Sequence, residues 1–364
     1  MKQLNKFLTI GKAILLVLLI VYVGSLVDFI FEPLKSLTGV ILIPVLLAVF
    51  FYYLLRPLLP LMERWKIRRW KLKRTQAILL IYLVLGVLLI GFFGGVWPPL
   101  KSQLLTLVQN APQLFDSVNE KITELQQSGF FAKLFPEDFS LLSQLNDYLS
   151  QGFTLLTSYV SGLFSAVSNL AIILFTFPIL LFYMLKEGDK FGKTFVKMVP
   201  RRFRERVGMI TGEIDGALSN YIVSRVIVNL ALGVLMYLGF LMIGLPYALV
   251  LTLIAFIMNF IPFFGAIISS IPIVIIGLTV SPMVGLWSLI IILLAQQIQD
   301  NIISPLVFGK SLDIHPITTT VLVLGVGNFF GIIGMLIIIP VYMVIKIISR
   351  HTYQLFLKEK WEGL

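Results

Sequence analysis

The chain has 364 residues, 58 % of them hydrophobic and only 13 % charged, with a mean hydropathy of +0.96. Soluble domains carry about 25 % charged residues, so this composition specifies an integral membrane protein. The net charge of +11 gathers in loops beside apolar helices, which points to cytoplasmic loops rather than to nucleic acid, and the absence of cysteine excludes disulfide staples, thiol catalysis and cysteine metal sites.

A hydrocarbon core about 30 Å thick needs roughly 20 apolar residues in a helix. Runs of that order occur at Ala13 to Ile30, Gly39 to Leu55, Ala77 to Trp97, Leu163 to Leu185 and Tyr221 to Ile243. A closed barrel would need repeated ten-residue alternation instead, and none is present. The first run follows Lys2, Lys6 and Lys12; its length and its lack of a small-residue cleavage site mark a retained helix rather than a signal peptide.

Two basic stretches orient these helices. Between the second and third lie Arg56, Arg64, Lys66, Arg68, Arg69, Lys71, Lys73 and Arg74 against the single acid Glu63, and a second dense group runs from Lys186 to about 216. Both are expected on the cytoplasmic side. The segment 98–162 instead has Lys101, Lys121 and Lys133 against Asp116, Glu120, Glu124, Glu137, Asp138 and Asp147, so it is expected outside. Its apolar positions, Leu104, Leu107, Val108, Leu114, Phe115, Val118, Ile122 and Leu125, predict amphipathic helices against the outer membrane face or a neighbouring subunit. A binding domain for an external ligand is the sharper alternative. Phe191, Phe195, Met198 and Phe203 among the bases of 186–216 predict an interfacial helix on anionic lipid.

From Pro246 the apolar segments shorten. Tyr247 to Ile261 and Ala266 to Val280 flank "NFIPFFG", and Thr318 to Gly327 leads into "GNFFG". Loop parity has the hairpin at 246–280 start and end outside, Met283 to Gln299 cross inward, and the hairpin at 316–349 start and end inside. Opposed broken hairpins are a transporter feature, and their tips must line a cavity or be buried in protein. The alternative is a pair of ordinary transmembrane hairpins with tight turns. The expected fold is thus all-α and polytopic, with about six full transmembrane helices plus two oppositely oriented helical hairpins, eight or more membrane segments in all. Its regions are 1–97 (three helices), 98–162 (outer segment), 163–243 (helices four and five), 244–349 (hairpin core) and 350–364 (inner tail).

The candidate solute path follows from polar groups in costly places. Asn259, Pro262 and Gly265 form the first tip; Asn328 and Gly331 form the second; Gln296, Gln299, Asp300 and Asn301 close the helix between them, with Gln296, Gln299 and Asp300 spaced to share one face. Asp300 and Asn301 could equally cap the helix, and Asn259 and Asn328 could brace their tips. Arg225 and Asn229, four residues apart, are secondary candidates; the plainer reading has Arg225 snorkel to the cytoplasmic interface. No His-Glu-x-x-His motif and no Gly-x-x-x-x-Gly-Lys-Ser/Thr phosphate cradle occurs, so no enzyme, metal or cofactor is expected.

"GLPYALVLTLIAFIMNFIPFFGAIISSIP", "QDNIISPLVFGKSLDIHP" and "GNFFGIIGMLIIIP" closely resemble signatures of the autoinducer-2 exporter family, the PerM-like permeases, and "FPILLFYMLKEGDKF" looks like that family's fourth helix. One departure is "YIVSRVIVN", where relatives often show an Arg-Gly-Gln-like turn. Loop charge and parity put both termini in the cytoplasm, and the resemblance implies a multi-pass transporter of the bacterial plasma membrane, forming a homo-oligomer such as a pentamer and exporting a small polar signal. The alternatives are sodium/proton antiport through Asp300 and a non-transporting membrane scaffold. The expected partners are membrane lipid and a small polar solute, with Na+ or H+ as coupling ion.

Overall fold

The computed structural model describes residues 28–64, 66–67, 70–127, 170–309 and 314–356, together with Gly11 and Leu15. The expected first helix lies almost wholly outside these residues, as do the outer segment beyond Gln127 and the tail beyond Phe356. Among the described residues the chain is helical throughout, apart from a small antiparallel turn pairing Lys66–Ile67 (β1) with Trp70–Lys71 (β2).

Helix α1 (Asp28–Leu55) ends at Arg56-Pro57, where the proline ring opposes helical continuation, and α2 (Leu58–Arg64) leaves at 47° to it. After the β-turn, α3 (Arg74–Gly91) starts where Gln76 accepts from the Lys73 backbone, a side-chain partner for an otherwise orphaned N–H. A π-helical turn at Phe92–Val96 carries α3 straight into α4 (Trp97–Gln127). The expected boundary at Pro98 is therefore continuous helix: Pro98 and Pro99 follow directly on the π-helical turn. The inward face of α4, Leu100, Leu104 and Leu107, packs on the hairpin core.

Helices α5 (Leu170–Met198) and α6 (Arg204–Met242) are joined by the single turn Arg201–Phe203. The stretch 186–216 is thus not a separate interfacial helix but a continuation of both. At 39 residues, α6 outruns a bilayer at 1.5 Å per residue, so its charged first turns project beyond it. Next come α7 (Ala248–Met258), α8 (Phe264–Val280) and α9 (Pro282–Ile298), then a π-helical turn at Gln299–Ile303 and the short α10 (Ser304–Phe308). The last helical stretch, α11 (Pro316–Phe356), contains Gly331 at φ 60°, ψ −153°.

Among the described residues, four helical stretches are long and apolar enough to cross a membrane, five if α1 and α2 count as one bent span. One of the four, Pro316–Gln354, folds back on itself. A Cβ on Gly327 would collide with the Met335 side chain, and one on Gly334 would meet Val326, pairs eight positions apart that a straight helix would hold about 12 Å apart. Only the glycine at 331 tolerates the reversing backbone.

Among the described residues, packing divides into three apolar groups, the smallest joining Tyr221 and Ile222 of α6 to Ile339 and Met343 of α11. Ala48, Tyr52 and Leu55 of α1, Ala77, Ile78 and Ile81 of α3, and Leu181 and Leu185 of α5 form another. Leu232, Met236 and Phe240 of α6 join α4, α7, α8 and α9 in the third. Lipid is as apolar as leucine, so close approach between helices rather than water exclusion holds such groups together. Gly277 of α8 lies against Gly285 and Ser288 of α9. Away from these contacts Leu79, Leu83, Val87 and Leu88 of α3 stay exposed, as lipid-facing side chains do.

Candidate functional site

Hairpin one, α7 and α8, reverses at Asn259–Phe263, and five of its backbone amides donate within the turn. The Asn259, Phe260 and Ile261 amides donate to Ala255, Ile257 and Met258 (2.9, 3.2 and 2.9 Å), and the Phe264 and Gly265 amides donate to Pro262 and Ile261 (2.8 and 3.0 Å). Phe263 takes a left-handed φ of 64°, a costly conformation for a bulky side chain. Gly265 is required because any Cβ would strike the Met258 backbone. Pro262 is half-buried within the turn.

Three elements converge on Asn259, which is buried. Its side-chain nitrogen donates to the Ala255 carbonyl (2.9 Å) and its side-chain oxygen accepts from Gln296 Nε2 of α9 (3.1 Å). Its main-chain carbonyl accepts from the Arg225 guanidinium of α6. Arg225 therefore does not snorkel to the interface. It turns inward to the C-terminal end of α7, where carbonyls carry the negative end of the helix dipole and a cation is favoured. Asn259 spends its hydrogen-bonding capacity on the tip and on its two neighbouring helices.

Beside this junction, buried polar atoms stand without partners. Asn229, on α6 one turn beyond Arg225 and with no exposed surface, has neither side-chain oxygen nor nitrogen satisfied; Gln299 Oε1, Thr252 Oγ1 and Arg225 Nε are likewise alone. Each such atom costs about 1–3 kcal/mol. Thr252 of α7 faces Gly233 of α6, and α6 also packs on the π-helical turn that carries Gln299. Such turns are frequent at functional sites.

Gln296, Gln299 and Asp300 do not share one face. The wider π-helical turn begins at Gln299, so Gln296 meets Asn259, Gln299 is buried, and Asp300 is exposed with a 3.4 Å contact from Gln299 Nε2. Asn301 is exposed and bonds back to Gln297 (2.6 and 3.0 Å). Asn328 and Gly331 sit on the exposed tip of hairpin two, beside Phe329 and Phe330 at 81 % and 74 % exposure, and are not part of the Asn259 junction.

A second charged cluster escaped the sequence reading. Arg56, just past α1, donates to Asp189 of α5 (3.2 Å) and pairs with Asp215 of α6. Arg74 of α3 donates to Asp189 (2.5 Å) and, through Nε and a terminal nitrogen, to the Leu185 carbonyl (2.9 and 2.7 Å). Burial pushes the Asp189 carboxyl up, but the Arg74 hydrogen bond and the Arg74, Arg56 and Lys193 charges outweigh it and hold the group below its ordinary value. Asp189 and Asp215 are two of five acids in a strongly basic stretch, and nothing in their spacing singles them out.

The model of the family described as "AI-2E family transporter" matches residues 10–354. The chain belongs to this family. YueF of Bacillus subtilis is 34 % identical over 337 residues, covering 92 % of this chain and 90 % of YueF. YrrI of the same organism is 31 % identical over 93 % of this chain and 94 % of its own length. The AI-2 transport protein TqsA of Escherichia coli is 26 % identical over 86 % of each. The AI-2E family is one of transporters and permeases rather than enzymes, and its long apolar helices make this member a membrane protein.

Proposed function

We propose that the protein is a secondary transporter that moves a small polar solute outward across a bacterial plasma membrane, with both termini cytoplasmic. In this reading six full spans surround two hairpins entering from opposite sides, and several copies assemble. The solute occupies the junction of α6, the hairpin-one tip and the π-helical turn. Hairpin two, with Asn328 and Gly331, works from the other side of the membrane.

The observation that carries the proposal is the set of unpartnered polar atoms of Asn229, Gln299, Thr252 and Arg225 inside membrane helices. Donors and acceptors left unsatisfied at this cost suit a ligand rich in hydroxyls. A resident sodium ion fits less well beside the Arg225 guanidinium. TqsA carries AI-2 in its name, which makes AI-2 the first solute to try.

The test is uptake of AI-2 and of simpler polyols into vesicles containing only this protein, beside the Asn229→Leu variant. Leucine removes both orphaned atoms, so thermal stability in detergent holds or rises while flux falls at least tenfold. Unchanged flux in the variant, or a loss of stability that accounts for the lost flux, refutes the assignment.

A further inference from the structure

Two cavities lie at the cytoplasmic ends of the helices. The larger, about 1140 Å³, reaches from Val49 and Leu180 at membrane level to Lys193 and Gly208. The smaller, about 430 Å³, lies among Pro57, Glu63, Arg74 and Ser219. Arg56, Asp189 and Asp215 line both, so their ion pairs form the wall between them. Along α6 a glycine face runs beneath that wall, with Gly208 and Gly212 in the larger cavity and Gly216 in the smaller; a Cβ on any of them would meet nothing within 4 Å.

We propose that this wall is a cytoplasmic gate on the solute path, opened when α6 parts from α1. The proposal rests on the transporter reading above and adds a second site to it. The cluster is built asymmetrically. Arg74 is tied to both Asp189 and the Leu185 carbonyl, which fastens α3 to α5. Asp215 of α6, by contrast, is held by Arg56 at the end of α1. Arg56 keeps Asp189 when Asp215 leaves, so opening strands no cation, and the released carboxylate enters a cavity that already admits water. With side chains 30–41 % exposed, such pairs are individually weak enough to break and reform. The merged space presents carboxylates, tyrosine and threonine hydroxyls and a bare glycine floor, which a small hydroxylated solute can slide along.

The native chain has no cysteine, so two introduced thiols are the only ones to label. Leu61→Cys on α2 and Met209→Cys on α6, both exposed, carry spin labels, and electron-electron distances are read in reconstituted vesicles. Arg56→Gln and Asp215→Asn should each add a longer-distance population absent or minor in the parent, while Arg56→Lys keeps the parent distribution. A single unchanged population in both neutralised variants overturns the gate and leaves only a brace. Gly212→Leu, placed where a Cβ meets nothing within 4 Å, should cut flux at least fivefold with distances unchanged; full flux puts the solute path elsewhere. No flux from the parent protein would count against the transporter reading and not against the distance result.

Discussion

Replacing Gly331 by alanine tests the reversal of hairpin two. At φ 60°, ψ −153° the backbone lies in a region essentially closed to residues with a Cβ, at a cost of about 1–3 kcal/mol. That bias shifts the balance between folded-back and extended arms by roughly 5- to 150-fold, at about 1.4 kcal/mol per factor of ten. The geometric signal is large. Val321 and Val341, one on each arm and both exposed, would lie about 30 Å apart along a continuous helix; packed neighbouring helices have axes about 8–10 Å apart. Spin labels at Val321→Cys and Val341→Cys should give one short distance in the parent and a broadened distribution reaching toward the longer value in Gly331→Ala. A short, unbroadened distance in the variant with an unchanged melting temperature would show that the glycine is not what permits the turn.

Other expectations follow from the same geometry. Gly265→Val drives a side chain into the Met258 backbone, so it should lower the melting temperature and abolish flux, whereas Gly91→Ala, exposed at the end of α3 and facing open space, should leave both near the parent's values. Arg225→Met removes a cation that satisfies the Asn259 carbonyl at the end of α7. A charged hydrogen bond of this kind is worth about 1.5–3 kcal/mol, partly offset by relief of burying the charge, so a modest fall in stability with a large loss of flux is expected, and intact flux would remove Arg225 from the mechanism. Asp189 has its pKa lowered in the folded protein, so its contribution is present above the unfolded value near 3.9 and is lost as the pH falls through the lower folded value. The melting-temperature gap between the parent and Asp189→Asn should therefore be flat above about pH 5 and close below about pH 4; a gap independent of pH across that range would contradict the pairing.

The breaks in the membrane helices were legible because proline, glycine and asparagine punctuate apolar runs whatever the tertiary context, and both tips fall where those residues stand. Depth and direction were not legible. Arg225 lies close enough to the cytoplasmic end to snorkel by sequence alone, and only the placement of the α7 terminus shows why it turns inward. The shared face of Gln296, Gln299 and Asp300 failed for a local reason: a π-helical turn widens the helix at Gln299, and nothing in "AQQIQDNIISP" announces a change of period. The second charged cluster joins Arg56 to Asp215 across 159 positions and to Asp189 across 133. Loop charge counts record the side of the membrane but not such pairings.

The joint between α8 and α9 couples the two ends of the site. Ser281 is extended, and its hydroxyl accepts from the Val284 amide at 3.1 Å, so the turn is a single residue. With Gly277 seated against Gly285 and Ser288, the two helices have no slack and must tilt as one lever. At its far end that lever carries Gln296, bonded to Asn259, and then the π-helical turn. Any force that shifts the first hairpin therefore reaches Gln299 and Asp300 through a rigid arm, not through a flexible loop.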